Sequence, residues 1–391
     1  MRMIQFNVPA LAGKEQQYIK QVLKTGKFSG DGLFTKKCEE WLEKKTGAKK
    51  VLLTTSGTHA LDMAALLARV KGGDEVILPS YTFSSTANAF VLQGAKLVFV
   101  DIRPDTMNID EDLIEKAITK KTKVIVVMHN GGVACEMSKI MHIARKYDLL
   151  VVEDAAHAVM ATYKNRPLGT IGHIGCFSFH ETKNLNSGEG GAIALNDDKL
   201  IERAEIVREK GTNRSKFYRG EIAKYSWVDI GSSYLPNEIT AAFLWAQLEE
   251  AERINSDRLK SWNSYYKKLL PLAERGLIAI PTVPKNCQHN AHMFYLKTKN
   301  LTERTMLIEH LKNNSVMAVF HYVPLHSSQA GKKFGRFDGT DMWTTKESDK
   351  LLRLPMYYKL KKSDVEKIVR EIFNFYNAKS FVIVERNREE M

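Results

Sequence analysis

Long apolar runs are missing from this sequence: none of its 391 residues lies in a stretch near the roughly 18 apolar residues that a membrane span requires. The opening MRMIQFNVPALAGKEQQ also lacks the unbroken apolar core of a secretory signal. The expectation is a soluble, cytoplasmic protein. Cysteine is scarce. The four present, Cys38, Cys135, Cys176 and Cys287, stand far apart and form no C-x-x-C pair, which argues against a disulfide framework and a thiolate zinc site. Reduced thiols and no metal are expected. Basic tracts interleaved with aromatics are missing too. The net charge of +13 would suit nucleic acid if it were clustered, but like-charge groupings are as short as KKTK at 120–123. No nucleic-acid partner is expected, whereas a diffuse basic surface suits small anionic substrates by raising their local concentration.

What is present is an ordinary globular composition, 44% hydrophobic and 26% charged, in a chain long enough for two domains. Short β-branched runs at 51–55, 75–80, 96–101, 123–129, 149–154, 176–180 and 191–195 alternate with helical periodicity at 58–69, 84–93, 110–118 and 136–147. That alternation predicts an α/β domain, a mostly parallel sheet covered by helices on both faces, over residues 1–245. A charged helical stretch at 248–270, strand signals at 293–297 and 317–322, and a last helix at 364–376 predict a smaller α+β domain over 246–377, with a tail at 378–391.

Open α/β sheets place their ligands beyond the carboxyl ends of the strands, and several of those ends carry reactive or binding residues here. After VLLTT come Ser56, Gly57 and Thr58 at a helix start, where free N–H groups and the helix dipole suit an anion, although ordinary N-capping is the favoured reading of that turn taken alone. After EVILPS come Tyr81 and Phe83, aromatics suited to core filling or to stacking on a flat ligand. LLVVED ends in Asp154, a buried carboxylate that needs a cation or donor, followed by His157. CFSFH delivers Ser178 and then Lys183, with a GEGG turn whose glycines let the backbone pass close by. An anion cradle, a stacking aromatic, a carboxylate in want of a positive partner and a lysine nucleophile are together what pyridoxal phosphate requires.

The motifs SGTHALDMAAL, PSYTFSSTANA, VVEDAAH, FSFHETKN with GEGG, and FHYVPLH resemble the DegT/DnrJ/EryC1/StrS family of fold-type-I, pyridoxal-phosphate-dependent sugar aminotransferases, over about residues 6–376. The resemblance implies that Lys183 bonds to the cofactor, that Asp154 meets its pyridine nitrogen and His157 its ring hydroxyl, that Phe83 stacks on the ring, and that Gly57, Thr58 and Ser178 hold the phosphate. It also implies a homodimer in which the turn at 231–235 reaches the partner's cofactor. Many relatives have G-x-N-x-R there, but this chain has GSSYL, so Ser233 replaces the asparagine and Leu235 the arginine. The implied reaction transfers the amino group of L-glutamate to C4 of a nucleotide-linked 4-keto-6-deoxyhexose, with dTDP as the nucleotide. Another nucleotide-sugar 3- or 4-aminotransferase, or a non-catalytic binding protein of the same fold, stays open at this point. A pyridoxamine-dependent dehydratase is disfavoured by Lys183. His321, Tyr322 and His326 fall in a family motif but read equally well as core or loop, and Lys210, Arg214 and Arg219 read as solvated charge.

Overall fold

The β-branched runs form an eight-stranded sheet in the computed structural model, which describes residues 2–389, for 379–389 the backbone alone. The strands are β1 (Lys50–Thr54), β2 (Glu75–Pro79), β3 (Lys96–Val100), β4 (Thr122–Met128), β5 (Leu150–Asp154), β6 (Ile174–Ser178), β7 (Gly191–Leu195) and β8 (Gly335–Phe337), in the order β1-β7-β6-β5-β4-β2-β3-β8. From β6 to β8 every pairing is parallel, while β7 runs antiparallel between β1 and β6.

The pleat explains why these strands read as unbroken apolar runs. Leu53, Ile77, Val98, Ile125 and Val151 pack into one core, and their neighbours Leu52, Val76, Leu97, Val124 and Val152 into another on the opposite face. Helices Glu15–Thr25, Leu33–Thr46 and Glu238–Glu249 contribute to the first layer, and Gly57–Leu67 and Ser84–Val91 to the second. A separate three-stranded antiparallel sheet, Phe294–Lys297, Leu351–Leu354 and Val319–Phe320, packs against helices Ala251–Glu274 and Lys362–Glu389.

Two crossings tie the halves together. Ile4 bridges to Val316, which brings the N-terminal segment to the small sheet, and β8 returns from residues 335–337 to the edge of the large sheet. The helix Lys362–Glu389 continues through the segment expected as a tail; residues 390 and 391 lie outside the described residues. All four cysteines are buried and free.

Buried carboxylates lock this frame by collecting backbone N–H groups. Glu153 on β5 accepts from Gly169, Ile171 and Gly172 N–H at 2.8, 2.7 and 2.5 Å and from His129 Nε2 at 2.8 Å. Glu238 caps the helix Leu33–Thr46 by accepting from Gly32, Phe34 and Thr35 N–H. Asp101, just past β3, accepts from Met342, Trp343 and Thr344 N–H and so anchors the helix Thr344–Lys350.

Burial pushes the Glu153 carboxyl up, but the hydrogen bond and charge of His129 with the Gly172 and Gly169 N–H groups hold it below the usual range. A carboxylate depressed in the folded state stabilises fully above its unfolded pKa of about 4.3, and that contribution disappears as pH falls through the folded value. Glu153→Ala, which strands three N–H groups and His129 Nε2 without a partner, should cost about 3–5 kcal/mol. Urea unfolding should show the deficit at pH 7 and a shrinking gap between the two proteins below the carboxylate range.

Candidate active site

At the carboxyl ends of β1, β5 and β6 the chain encloses a cavity of about 680 Å³. Its large-domain wall is made by Ser56, Gly57, Thr58, Phe83, Asp154, His157, Ser178 and Lys183. The facing wall is His292, His321, Tyr322 and Arg353, and the N-terminal segment adds Phe6 and Asn7. Seven of the eight site residues expected from sequence thus meet in one place. Ser233 does not: it is exposed on the loop after residue 230, bridging Glu209.

The anion seat follows from the start of the helix Gly57–Leu67. Ser56 caps it, its Oγ accepting the His59 N–H at 3.0 Å, so the capping reading holds for that residue. The Gly57 and Thr58 N–H groups find no acceptor among the described residues and front the cavity beside the Thr58 and Ser178 hydroxyls. A Cβ on Gly57 would lie 2.8 Å from Ser178 Cβ, so only glycine lets the two strand ends close this far. Gly191 serves the same approach from β7, since its Cβ would fall 2.4 Å from the Ser56 backbone.

Asp154 is buried and only half satisfied. Its Oδ2 accepts from Thr86 Oγ1 at 2.6 Å and its Oδ1 from Ala156 N–H at 3.1 Å, leaving acceptor capacity toward the cavity. His157 Nδ1 accepts from Gly131 N–H at 3.4 Å, which leaves its proton on Nε2, 3.3 Å from Tyr322 Oη. Burial, with the charges of Lys183 and Arg353, holds His157 well below its ordinary pKa, so the ring is neutral. It stacks 3.9 Å from His292, whose Nδ1 donates to Asn184 Oδ1 at 3.0 Å.

Lys183 rides the hairpin between β6 and β7, which two asparagines just after it tie to distant segments. Asn184 Nδ2 donates to Asn290 O at 2.7 Å and Asn186 Nδ2 to Ala10 O at 3.1 Å. The ammonium group makes no hydrogen bond or ion pair among the described residues. Burial lowers its pKa from 10.5 to about 8, Asp154 opposing the shift and Arg353 adding to it. A substantial fraction is therefore neutral amine near pH 8, the form that acts as nucleophile or base.

Residues 9–373 match the DegT/DnrJ/EryC1/StrS aminotransferase family. The chain belongs to that family. Among curated relatives it is 31% identical to the GDP-perosamine synthase of Caulobacter vibrioides, over 92% of this chain and 95% of that protein. Among solved structures it is similar to the aminotransferase TlmJ from Streptoalloteichus hindustanus, with a TM-score of 0.88, 27% identity and 96% and 99% of the two chains covered. Spr1654 of Streptococcus pneumoniae, in its PLP form, gives a TM-score of 0.86 at 25% identity, with 96% and 99% covered.

This aminotransferase uses pyridoxal phosphate, and the site fits that group: two free N–H donors for a phosphate, a spare buried acceptor on Asp154 for a ring N–H, and a free amine on Lys183. Sequence reasoning left His321 and Tyr322 undecided; both line the cavity, while His326 sits outside it, bonding Ser80 Oγ at 2.6 Å and Asp341 at 3.2 Å. It gave no role to His292, although that residue falls in the segment NAHMFYLK, and it passed over Arg353, which no motif or strand-end position marked. Lys210 and Arg214 pair with Glu209, and Arg219 with Glu205 and Glu221, as surface charge does. Borohydride reduction of the cofactor-loaded enzyme followed by peptide mapping should place the pyridoxyl group on Lys183 alone; recovery on another lysine would overturn this site.

Proposed function

We propose that the enzyme transfers the amino group of L-glutamate to C4 of a nucleotide-linked 4-keto-6-deoxyhexose, converting dTDP-4-dehydro-6-deoxy-D-glucose to dTDP-4-amino-4,6-dideoxy-D-galactose in the cytoplasm. The observation that carries the reaction type is the single cavity in which Lys183, Asp154 and the helix start at Gly57 converge. The particular sugar is supported by the segments FVDIRPDTMNIDE, REKGTNRSKFYRG and NAHMFYLK, which resemble those of dTDP-4-amino-4,6-dideoxygalactose transaminase. A GDP-linked acceptor is the second reading, favoured by the GDP-perosamine synthase relative.

In this reading Gly57, Thr58 and Ser178 hold the cofactor phosphate, Phe83 covers one ring face, His157 lies by the ring hydroxyl and Asp154 takes the pyridine N–H. Pyridoxal phosphate, when bound, supplies an electron sink for the carbon that loses its proton. Lys183 Nζ takes that proton from the donor and returns one to the acceptor, a role its lowered pKa of about 8 suits. Asp154 keeps the sink effective by holding a positive charge on the ring nitrogen. Neutral His157, His292 and His321 with Tyr322 wall the chemistry from water without adding a competing charge.

The enzyme works as a homodimer in this proposal. The loop carrying Ser233 exposes Trp227, Val228 and Ile230 at 80%, 51% and 55%, an apolar patch suited to burial against a second copy, with Ser233 donating to the partner's phosphate. Mixing inactive Lys183→Ala protomers with an inactive 231–235 variant should restore activity once protomers exchange. No recovery after verified exchange would count against shared sites.

NMR of products formed from glutamate and a panel of dTDP-, UDP- and GDP-linked 3- and 4-keto sugars tests the substrate directly; amination at C3 would refute the assignment. Asp154→Asn keeps shape and hydrogen bonding but removes the charge. It should still load cofactor yet lose roughly 30- to 1000-fold in single-turnover amino transfer from glutamate, the loss of about 2–4 kcal/mol of buried charge stabilisation.

A further inference from the structure

Behind Asp154 stands a chain of two buried hydroxyls. Thr82 and Thr86 are 1% and 0% exposed, and their Oγ1 atoms lie 2.8 Å apart. Thr86 Oγ1 in turn donates to Asp154 Oδ2 at 2.6 Å. A carboxylate only accepts, so the Thr86 proton is committed to Asp154 and the Thr86 lone pair is left to take the Thr82 proton. The chain therefore has one direction, and hydrogen bonds linked head to tail in a buried site polarise one another. Local structure accounts for the placement. Thr82 and Thr86 stand on either side of Phe83, which caps the helix Ser84–Val91, and the Thr86 N–H bonds Phe83 O at 3.1 Å. One turn thus sends Phe83 to the cavity wall and Thr86 to the rear of the carboxylate.

Thr86 is the one side chain that donates to Asp154 among the described residues, the other oxygen taking the Ala156 N–H. Neither threonine lines the cavity, so any effect of theirs on the chemistry passes through the carboxylate. A proton shared between a carboxylate and a ring nitrogen settles on the more basic partner. A hydroxyl that donates to the carboxylate stabilises its negative charge and so leaves the proton on nitrogen, where it makes the ring an electron sink. We propose that Thr86 is a positioning residue for amino transfer, its hydroxyl, backed by Thr82, aiming the Asp154 carboxylate at the cofactor's ring nitrogen and holding the negative charge there. This rests on the reading of Asp154 as the partner of that nitrogen and is independent of which sugar accepts.

The test measures, by calorimetry, the affinity of the cofactor-free protein for pyridoxal phosphate and for 1-deazapyridoxal phosphate, in which carbon replaces the ring nitrogen. Wild type should prefer the nitrogen-bearing form, and Asp154→Asn should narrow that preference. A preference unchanged in Asp154→Asn would overturn the Asp154 reading and the proposal with it. Thr86→Val, nearly the same shape without the hydroxyl, should narrow the preference as well and slow single-turnover transfer from L-glutamate by about 10- to 100-fold, the range for one hydrogen bond to a charged group. Thr86→Ser should restore most of both. Thr82→Val, which leaves Thr86 in place, should show the same pattern at about 2- to 3-fold, and thermal melts of all variants identify any that fails to fold. In an Asp154→Asn background Thr86→Val should add little, since the carboxylate it acts through is gone. A preference lost in Asp154→Asn but kept in Thr86→Val would overturn the proposal and leave the Asp154 reading standing. Equal weakening of both cofactors by Thr86→Val, no recovery in Thr86→Ser, or full additivity with Asp154→Asn would each overturn it too.

Discussion

A carboxylate that ends a buried strand must be compensated, and the active site is organised around the half of Asp154 that the protein leaves uncompensated. Glu153, one residue earlier and on the other face of β5, shows the alternative: its oxygens are filled by backbone N–H groups and His129. Asp101 past β3 and Glu238 are filled in the same way. Those carboxylates tie loops and helices to the sheet. Asp154 receives one hydroxyl and one N–H, and its remaining capacity faces the cavity. In the proposed reading a cationic ring N–H would take up that capacity, which would make the cofactor part of the electrostatic balance of the fold.

The same logic sets the state of the lysine. Burial and the charge of Arg353 both favour the neutral amine on Lys183, and Asp154 opposes them. The surrounding imidazoles are driven neutral by burial as well, so they wall the site without competing for protons. Arg353 faces a cavity whose other walls are neutral or partly so, which suits substrates that arrive as anions.

Much of this was legible in the sequence because strand ends and helix starts are local signals. The runs before Ser56, Phe83, Asp154 and Lys183 were apolar on both faces of the pleat, which fixed where each strand stopped and which residue emerged beyond it. Strand-end acidity alone was not specific, since Asp101 carries the same signal and is filled by the N–H groups of Met342, Trp343 and Thr344 and by the Thr344 hydroxyl. What escaped were residues placed by long-range closure. His292 reaches the site because Asn184 and Arg258 hold its segment, the latter through bonds to Ala291 and His292 carbonyls at 3.2 and 2.7 Å. β8 and the helices Glu15–Thr25 and Leu33–Thr46 likewise depend on partners far away in sequence.

Arg353 belongs to that second group, and its sequence context explains why it was passed over. In LLRLP it reads as an ordinary polar residue alternating out of an apolar strand, the pattern of a half-exposed edge. The fold reverses that meaning: Leu351, Leu352 and Leu354 are buried, and the outward position opens onto the cavity between domains, under Phe6 from the N-terminal segment. Asp154, Lys183 and the helix start at Gly57 therefore come from the large sheet, and Arg353 comes from the small one. Relative movement of the two sheets would change the distance between Lys183 and Arg353, so the spacing of these two groups is set by how the sheets sit against each other rather than by either sheet alone.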